Sequence, residues 1–245
     1  MTFWEAVLLV LGGGVAGVIN AMAGGGSTLT VPLLVLAGVP GNDANGSNRV
    51  GILTSNIATA ASFHREGVTA YKEAMPVLLP VVVGSLVGSL GVSRVADDTF
   101  ETIFGLLMLP ILILSLRKPK PRVDGEPWSR ATTSTVFFFI GIYGGAVQAG
   151  VGLVLLAALT RAGFDLVKAN VIKVLVTLVV TAIALPVFIV QGQVRWGPAV
   201  ILAVGLAAGG WVGARMAVRG GERIIRGVMV LATLVLAGRL LGLYG

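Results

Sequence analysis

Residues 20–28 read NAMAGGGST, three consecutive glycines between two apolar stretches, Val7–Ile19 and Leu29–Ala37. A glycine inside a helix costs about 1 kcal/mol relative to alanine, so such a run marks a break. The apolar segment that follows, Ser27–Gly38, is 12 residues long. As a helix it rises only about 18 Å, against a hydrocarbon core of about 30 Å. It is too short to cross a bilayer. NAMAGGGST therefore reads as an interruption at membrane depth, with the short segment returning as one arm of a hairpin.

The rest of the chain supports a membrane setting. Hydrophobic residues make up 56% of 245 and charged residues 12%, with a mean hydropathy of +0.94. Soluble domains carry roughly 25% charged residues. This implies an all-α polytopic membrane protein. Glycine is 35 of 245 residues, an excess that suits close helix packing in lipid. The first apolar run has no basic leader and no cleavage site before the glycines, and reads as a membrane segment rather than a signal peptide. With no cysteine and one histidine, no metal site or cofactor is expected. An enzyme is not expected either: no histidine-based triad is plausible. Gly24-Gly25-Gly26-Ser27-Thr28 also lacks the lysine of a phosphate loop.

Ten apolar segments follow one another: Phe3–Ala23, Ser27–Gly38, Val50–Phe63, Ala74–Gly91, Thr99–Leu116, Ala131–Ala149, Val151–Ala162, Ala169–Val190, Gly197–Ala217 and Ile224–Leu241. A polar linker separates the first five from the second five. The expected organisation is a first transmembrane repeat over 1–116, a cytoplasmic linker over 117–130 and a second repeat over 131–245. A shift of 125 residues superposes Gly38 on Gly163, DAN (Asp43–Asn45) on KAN (Lys168–Asn170), and Gly84-x-x-x-Gly88 on Gly209-x-x-x-Gly213. The second short segment, Val151–Ala162, also follows a glycine cluster, Gly150-Val151-Gly152. The pattern is that of an internal repeat.

Lysine and arginine orient the repeats. With the linker in the cytoplasm, most of the 18 basic residues fall on that side, and Arg49, Arg94, Arg195 and Arg239 lie at or outside the other. Both termini are then external and the two repeats are inverted, each opening with a broken-helix hairpin. The net charge of +7 reports topology, so the lipid bilayer and not nucleic acid is the expected partner. The two GxxxG-type pairs read as helix-packing sites within or between subunits, which leaves a homodimer open.

Inverted repeats with broken helices are transporter architecture, because irregular backbone at membrane depth is tolerated only where protein or a cavity satisfies it. Helix N-termini starting after the glycines favour an anion. The candidate binding residues are Asn20, Gly24, Gly25, Gly26, Ser27, Asn45, Asn48, Arg49 and Asn56 in the first half. Gln148, Gly150, Gly152, Asn170 and Lys173 match them in the second. Arg49 and Lys173 would balance the anion's charge and the amides would bond its oxygens. Competing readings are plain: the glycines as loops or packing sites, and Arg49 and Lys173 as anchors snorkelling to the surface. Asp43 reads as a cap in an external loop. Asp97, Asp98 and Glu101 read as a short loop and the first turn of the next helix.

GVINAMAGGGSTLTVPLLVLAGVPGNDANGSNRVGIL (17–53) resembles the first-repeat signature of the sulfite exporter TauE/SafE family, and GGAVQAGVGLVLLAAL (144–159) with KANVIKVLV (168–176) resembles the second. Ser47 stands where threonine is frequent, and Val171-Ile172 where a small hydroxyl residue is common. The resemblance covers almost the whole chain. It implies a secondary transporter of a small sulfur-containing anion, such as sulfite or a sulfonate, in the bacterial inner membrane. A passive small-anion channel of the same fold is the alternative.

Overall fold

The computed structural model describes residues 1–116 and 128–240. Residues 117–127 of the expected linker and 241–245 of the expected second repeat lie outside the described residues. The described residues form helices and no strand: α1 (Phe3–Ala23), α2 (Ser27–Leu36), α3 (Gly41–Arg65), α4 (Tyr71–Val92), α5 (Asp97–Leu116), α6 (Arg130–Ala146), α7 (Val151–Arg161), α8 (Leu166–Val190) and α9 (Trp196–Leu240). Four stretches are long and apolar enough to cross a membrane: α1, α4, α8 and Trp196–Gly220 of α9. The short helices α2 and α7 have 10 and 11 residues, as the sequence requires.

Two boundaries correct the sequence reading. First, α3 begins at Gly41, not near Val50, so Asp43 sits in a helical first turn and not in a loop. Pro40 precedes it with its fixed φ, and an acid suits a helix N-terminus. The asparagines that ordinarily disfavour a helix interior find partners on neighbouring segments instead. Second, the ninth and tenth expected segments form one continuous helix, α9. The intervening Arg219-Gly220-Gly221-Glu222-Arg223 contains no proline. Glycine weakens a helix without removing a hydrogen bond or clashing with it.

The packing exchanges the two halves. Helix α1 lies on α9 and α6 lies on α4; α3 lies on α9 and α8 on α4; α3 meets α8 directly. Pairing α1 with α6, α3 with α8 and α4 with α9 maps each of these contacts onto another. The crossings are built on glycine. A methyl group at Gly209 would strike the backbone of Gly14, and one at Gly84 the backbone of Phe138. Both GxxxG-type pairs therefore pack helices within the chain, bringing backbones together where lipid gives no hydrophobic drive for association. Apolar side chains such as Leu8, Leu11 and Val15 on α1 and Met75, Leu79 and Val83 on α4 point outward, as a lipid-facing surface requires.

Enlarging the α1–α9 crossing tests this packing. Gly209→Leu is expected to lower the melting temperature of the purified protein by several degrees, the consequence of roughly 1–3 kcal/mol of overpacking. Gly91→Leu, at a position where an added side chain meets nothing within 4 Å, is expected to leave it unchanged. Equal melting temperatures for both variants would contradict the close-packed crossing.

Candidate functional site

The two helix breaks meet. Gly24 ends α1 in the left-handed region (φ 79°) and Gly150 precedes α7 in the same region (φ 71°). Gln148 also has a positive φ of 61°, the only non-glycine residue to do so among the described residues. A Cβ on Gly24 would collide with the backbone of Gly152, and a Cβ on Gly152 with that of Gly24. The Ser27 hydroxyl ties the breaks together: it donates to the Gln148 carbonyl and accepts from the Gly150 N–H, both at 3.2 Å. The Gln148 side chain donates to Thr181 at 2.5 Å, and the Tyr143 hydroxyl donates to the Ala149 carbonyl. Gly24 and Gly152 are thus glycines so that two backbones can pass.

A helix that stops inside a membrane leaves its last carbonyls without N–H partners. Each broken helix here is capped by a cation and an asparagine from the third helix of the other half. Arg49 of α3 donates to the Gly144, Gly145 and Ala146 carbonyls at the end of α6, at 3.2, 2.6 and 3.1 Å. Asn45, one turn earlier, donates to Ala146 at 2.8 Å. Lys173 of α8 donates to the Asn20 and Ala21 carbonyls near the end of α1, at 2.7 and 3.2 Å. Asn170 donates to Ala21 at 2.7 Å. Asn45 and Asn170 are 125 residues apart, at equivalent places in the two halves. Arg49 is 0% and Lys173 1% exposed, so neither snorkels. They are the only buried charged residues among the described residues. The negative end of a helix dipole offsets about half a charge. Each cation therefore leaves positive potential where the breaks converge. The Arg49 guanidinium also lies 4.4 Å above the Phe188 ring.

The polar run GNDANGSNR (41–49) acquires a role residue by residue. Asn42 donates to the Val92 and Val95 carbonyls, and its N–H to Asp97. Asp43 pairs with Arg195 at 2.6 Å. Gly46 lets the Gln193 carbonyl pass, and Ser47 accepts from the Arg195 N–H. Asn48 accepts from Thr30 of α2 at 2.5 Å. Much of this motif locks segments together.

Several polar atoms at this depth are buried with no partner. Among acceptors these include the side-chain oxygens of Asn45, Asn56, Asn170 and Gln148. The donors are Nδ2 of Asn48 and Asn56, Nε of Arg49 and the hydroxyls of Ser55 and Thr59. All five donor residues lie on α3. An anion needs donors, so the arrangement places the usable ones on one helix. Asn20, Gly24, Gly25, Gly26, Ser27, Gly150 and Gly152 are all buried at or beside the breaks, and Gly25 and Gly26 begin the turn into α2. Sequence reasoning missed Thr59 and Thr30. The i, i+4, i+7, i+8, i+11 spacing of Asn48, Ile52, Ser55, Asn56 and Thr59 was the available signal for the first. A pocket of about 650 Å³ lies elsewhere, between α5, α6 and α7, and is lined mainly by apolar residues such as Leu107, Phe139 and Val154, with Arg161 also on its wall.

Comparison with known proteins points to a membrane transporter. The family described as sulfite exporter TauE/SafE matches residues 9–240. A probable membrane transporter protein of a Sinorhizobium species is 30% identical over 98% of this chain and 94% of its own length. The probable membrane transporter protein YfcA of Escherichia coli is 29% identical over 92% of the chain and 86% of its own length. A probable membrane transporter protein of Haemophilus influenzae is 26% identical over 93% and 91%. No solved structure matches.

The contact between the breaks separates two adjacent glycines. Gly24→Ala places a methyl group in the Gly152 backbone at a left-handed residue, and is expected to abolish recovery of monodisperse protein on size exclusion. At Gly25 the added methyl lies 3.4 Å from the end of the Leu153 side chain, so Gly25→Ala is expected to purify normally. Normal recovery of Gly24→Ala would disprove the crossing.

Proposed function

We propose, for a chain that belongs to the sulfite exporter TauE/SafE family, that this membrane transporter moves a small sulfur-containing anion by alternating access. The observation that carries the reading is the pair Arg49 and Lys173: two buried cations at converging helix breaks, with no buried carboxylate among the described residues. A cation inside a membrane segment costs several kcal/mol and marks a functional position by default. The carbonyls of α6 and α1 satisfy the hydrogen bonds of these groups without cancelling their charge. Arg49 Nε and the Asn48 and Asn56 amide nitrogens are free donors, and would bind the oxygens of sulfite or a sulfonate. Lys173 supplies charge from the opposite half.

The inverted arrangement belongs to this reading. Two halves of opposite orientation, each with a break at the centre, rock about a fixed site and open it to one side at a time. The exchange of contacts between the halves supports it. So does the sealing of the break residues, most of which are under 6% exposed; that is the closed form such a cycle passes through. On this reading the protein lies in the bacterial inner membrane with both termini external.

Flux in reconstituted vesicles tests the assignment. Lys173→Gln keeps an amide donor for the α1 carbonyls and removes the charge. It is expected to cut sulfite flux at least tenfold while the protein remains monodisperse, and Arg49→Gln is expected to do the same. Unchanged flux in both would remove the cations from the site. Uphill sulfite accumulation under an imposed proton or sodium gradient is expected for a transporter; flux that only dissipates its own gradient would establish the channel alternative.

A further inference from the structure

The two halves differ along one pair of equivalent seams. Where α3 packs on α9, Ser55, Asn56 and Thr59 are 0–1% exposed. Neither hydroxyl has a partner, and Asn56 lacks one at both its oxygen and its nitrogen. The facing residue on α9 is Gly210, where an added methyl would lie 2.6 Å from the Thr59 hydroxyl and 2.7 Å from that of Ser55. The stripe continues toward the end of α3 through Ser62, whose hydroxyl donates to the Trp211 carbonyl at 3.0 Å. It reaches the surface at Trp211, where the Arg65 and Arg215 guanidinium groups each lie 5.3 Å from the ring. There Glu66 holds Arg215 and Arg219 at 3.5 and 3.6 Å, which leaves the mouth with an excess of positive charge.

The equivalent seam, α8 on α4, is more apolar at these positions, and its hydroxyls are paired. A shift of 125 residues places Val180 at Ser55, Thr181 at Asn56, Ala184 at Thr59, Val187 at Ser62 and Ser85 at Gly210. Val180 and Ala184 are buried and apolar. Thr181 donates to the Thr177 carbonyl at 2.7 Å, and Ser85 donates to the Val180 carbonyl at 2.9 Å. No side-chain atom of these five residues is left without a partner.

Each unpartnered buried polar group costs about 1–3 kcal/mol, and lipid offers no relief. A row of them at a seam closed only by a glycine is stable chiefly if the seam opens and water enters. We propose that the α3–α9 seam is the aqueous route between the central cations and the face bearing Arg65. Ser55, Asn56 and Thr59 line it, and Trp211 with its arginines forms its mouth. The α8–α4 seam stays closed, so the two faces of the membrane are reached by unlike paths. The charged mouth and the neutral donors fit a small oxyanion, and in this the inference rests on the anion-transport reading above.

The chain has no cysteine, so single cysteines test the route directly. Ser55→Cys, Thr59→Cys, Val180→Cys and Ala184→Cys, each in lipid nanodiscs, are treated with a sulfonated maleimide, and full labelling in detergent after denaturation confirms the thiol. The expected result is labelling at 55 and 59 at least tenfold faster than at 180 and 184. Rates at 55 and 59 no faster than at 180 and 184 would overturn the proposal. Radiolytic hydroxyl labelling of the unmodified protein makes the same comparison without a substitution: residues 55–63 should oxidise and residues 180–188 should not, and equal protection would overturn it. Labelling reads water access and not transport. A wild-type protein that labels as expected but carries no sulfite would refute the anion reading and leave the route intact.

Discussion

Everything in this fold depends on how it ends two helices inside a membrane. A helix terminus exposes carbonyls that water would satisfy at a surface and that lipid cannot. Here the ends of α1 and α6 are satisfied by side chains from the opposite half: Lys173 and Asn170 for one, Arg49 and Asn45 for the other. The capping is reciprocal, so neither half closes its own break. A single half would keep its unpaired carbonyls and its buried cation, so each half depends on the other for its stability. The glycine crossings of α1 on α9 and α4 on α6 bring the halves close enough for those side chains to reach.

The caps also set the electrostatics. A neutral donor would satisfy a carbonyl as well as a cation does, and the asparagines show it. Arginine and lysine add charge that two helix dipoles only partly offset. The two are not equivalent. The Arg49 fork spans three successive carbonyls and stacks on Phe188, whereas the Lys173 ammonium reaches two. A planar fork loses little freedom in such a grip and a lysine stem loses more. The α6 break is thus held by the firmer grip, and the helix that supplies it, α3 of the opposite half, also carries the free donors.

Much of this was legible in the sequence because it is a matter of length and composition. The bounds of α1 follow from apolar runs and glycine placement, and the shortness of α2 and α7 from a count of residues. The 125-residue offset already paired Asn45 with Asn170. What escaped was the helical character of Gly41–Arg49. Asparagine, glycine and serine prefer turns by local propensity, and only partners far along the chain, such as Ala146 for Asn45 and Val95 for Asn42, make a helix of them. The same holds for α9, where two glycines and three charges read locally as a turn. The helix N-termini pointed to an anion and the family resemblance to a sulfur-containing one, but neither supplied the division of labour. Lys173 stood out as an ionisable residue within an apolar segment and Arg49 as one at the edge of another, yet nothing local showed that their first partners are helix ends.

Comparison of the halves separates the residues that hold the fold from those that do something else. Positions filled alike in both halves, Asn45 with Asn170 and the left-handed Gly24 with Gly150, close the breaks, a task that each half must perform for the other. Positions filled differently, Ser55 against Val180 and Thr59 against Ala184, have no such duty. If the hydroxyls served only packing, the apolar pair would do better in the same setting, and α8 demonstrates that valine and alanine fit there. Retaining polar groups on α3 alone costs stability and gains nothing structural. Between these two halves, then, the positions filled alike serve stability, and the positions that differ, at the expense of unpaired buried groups, are the ones that the proposed aqueous route uses.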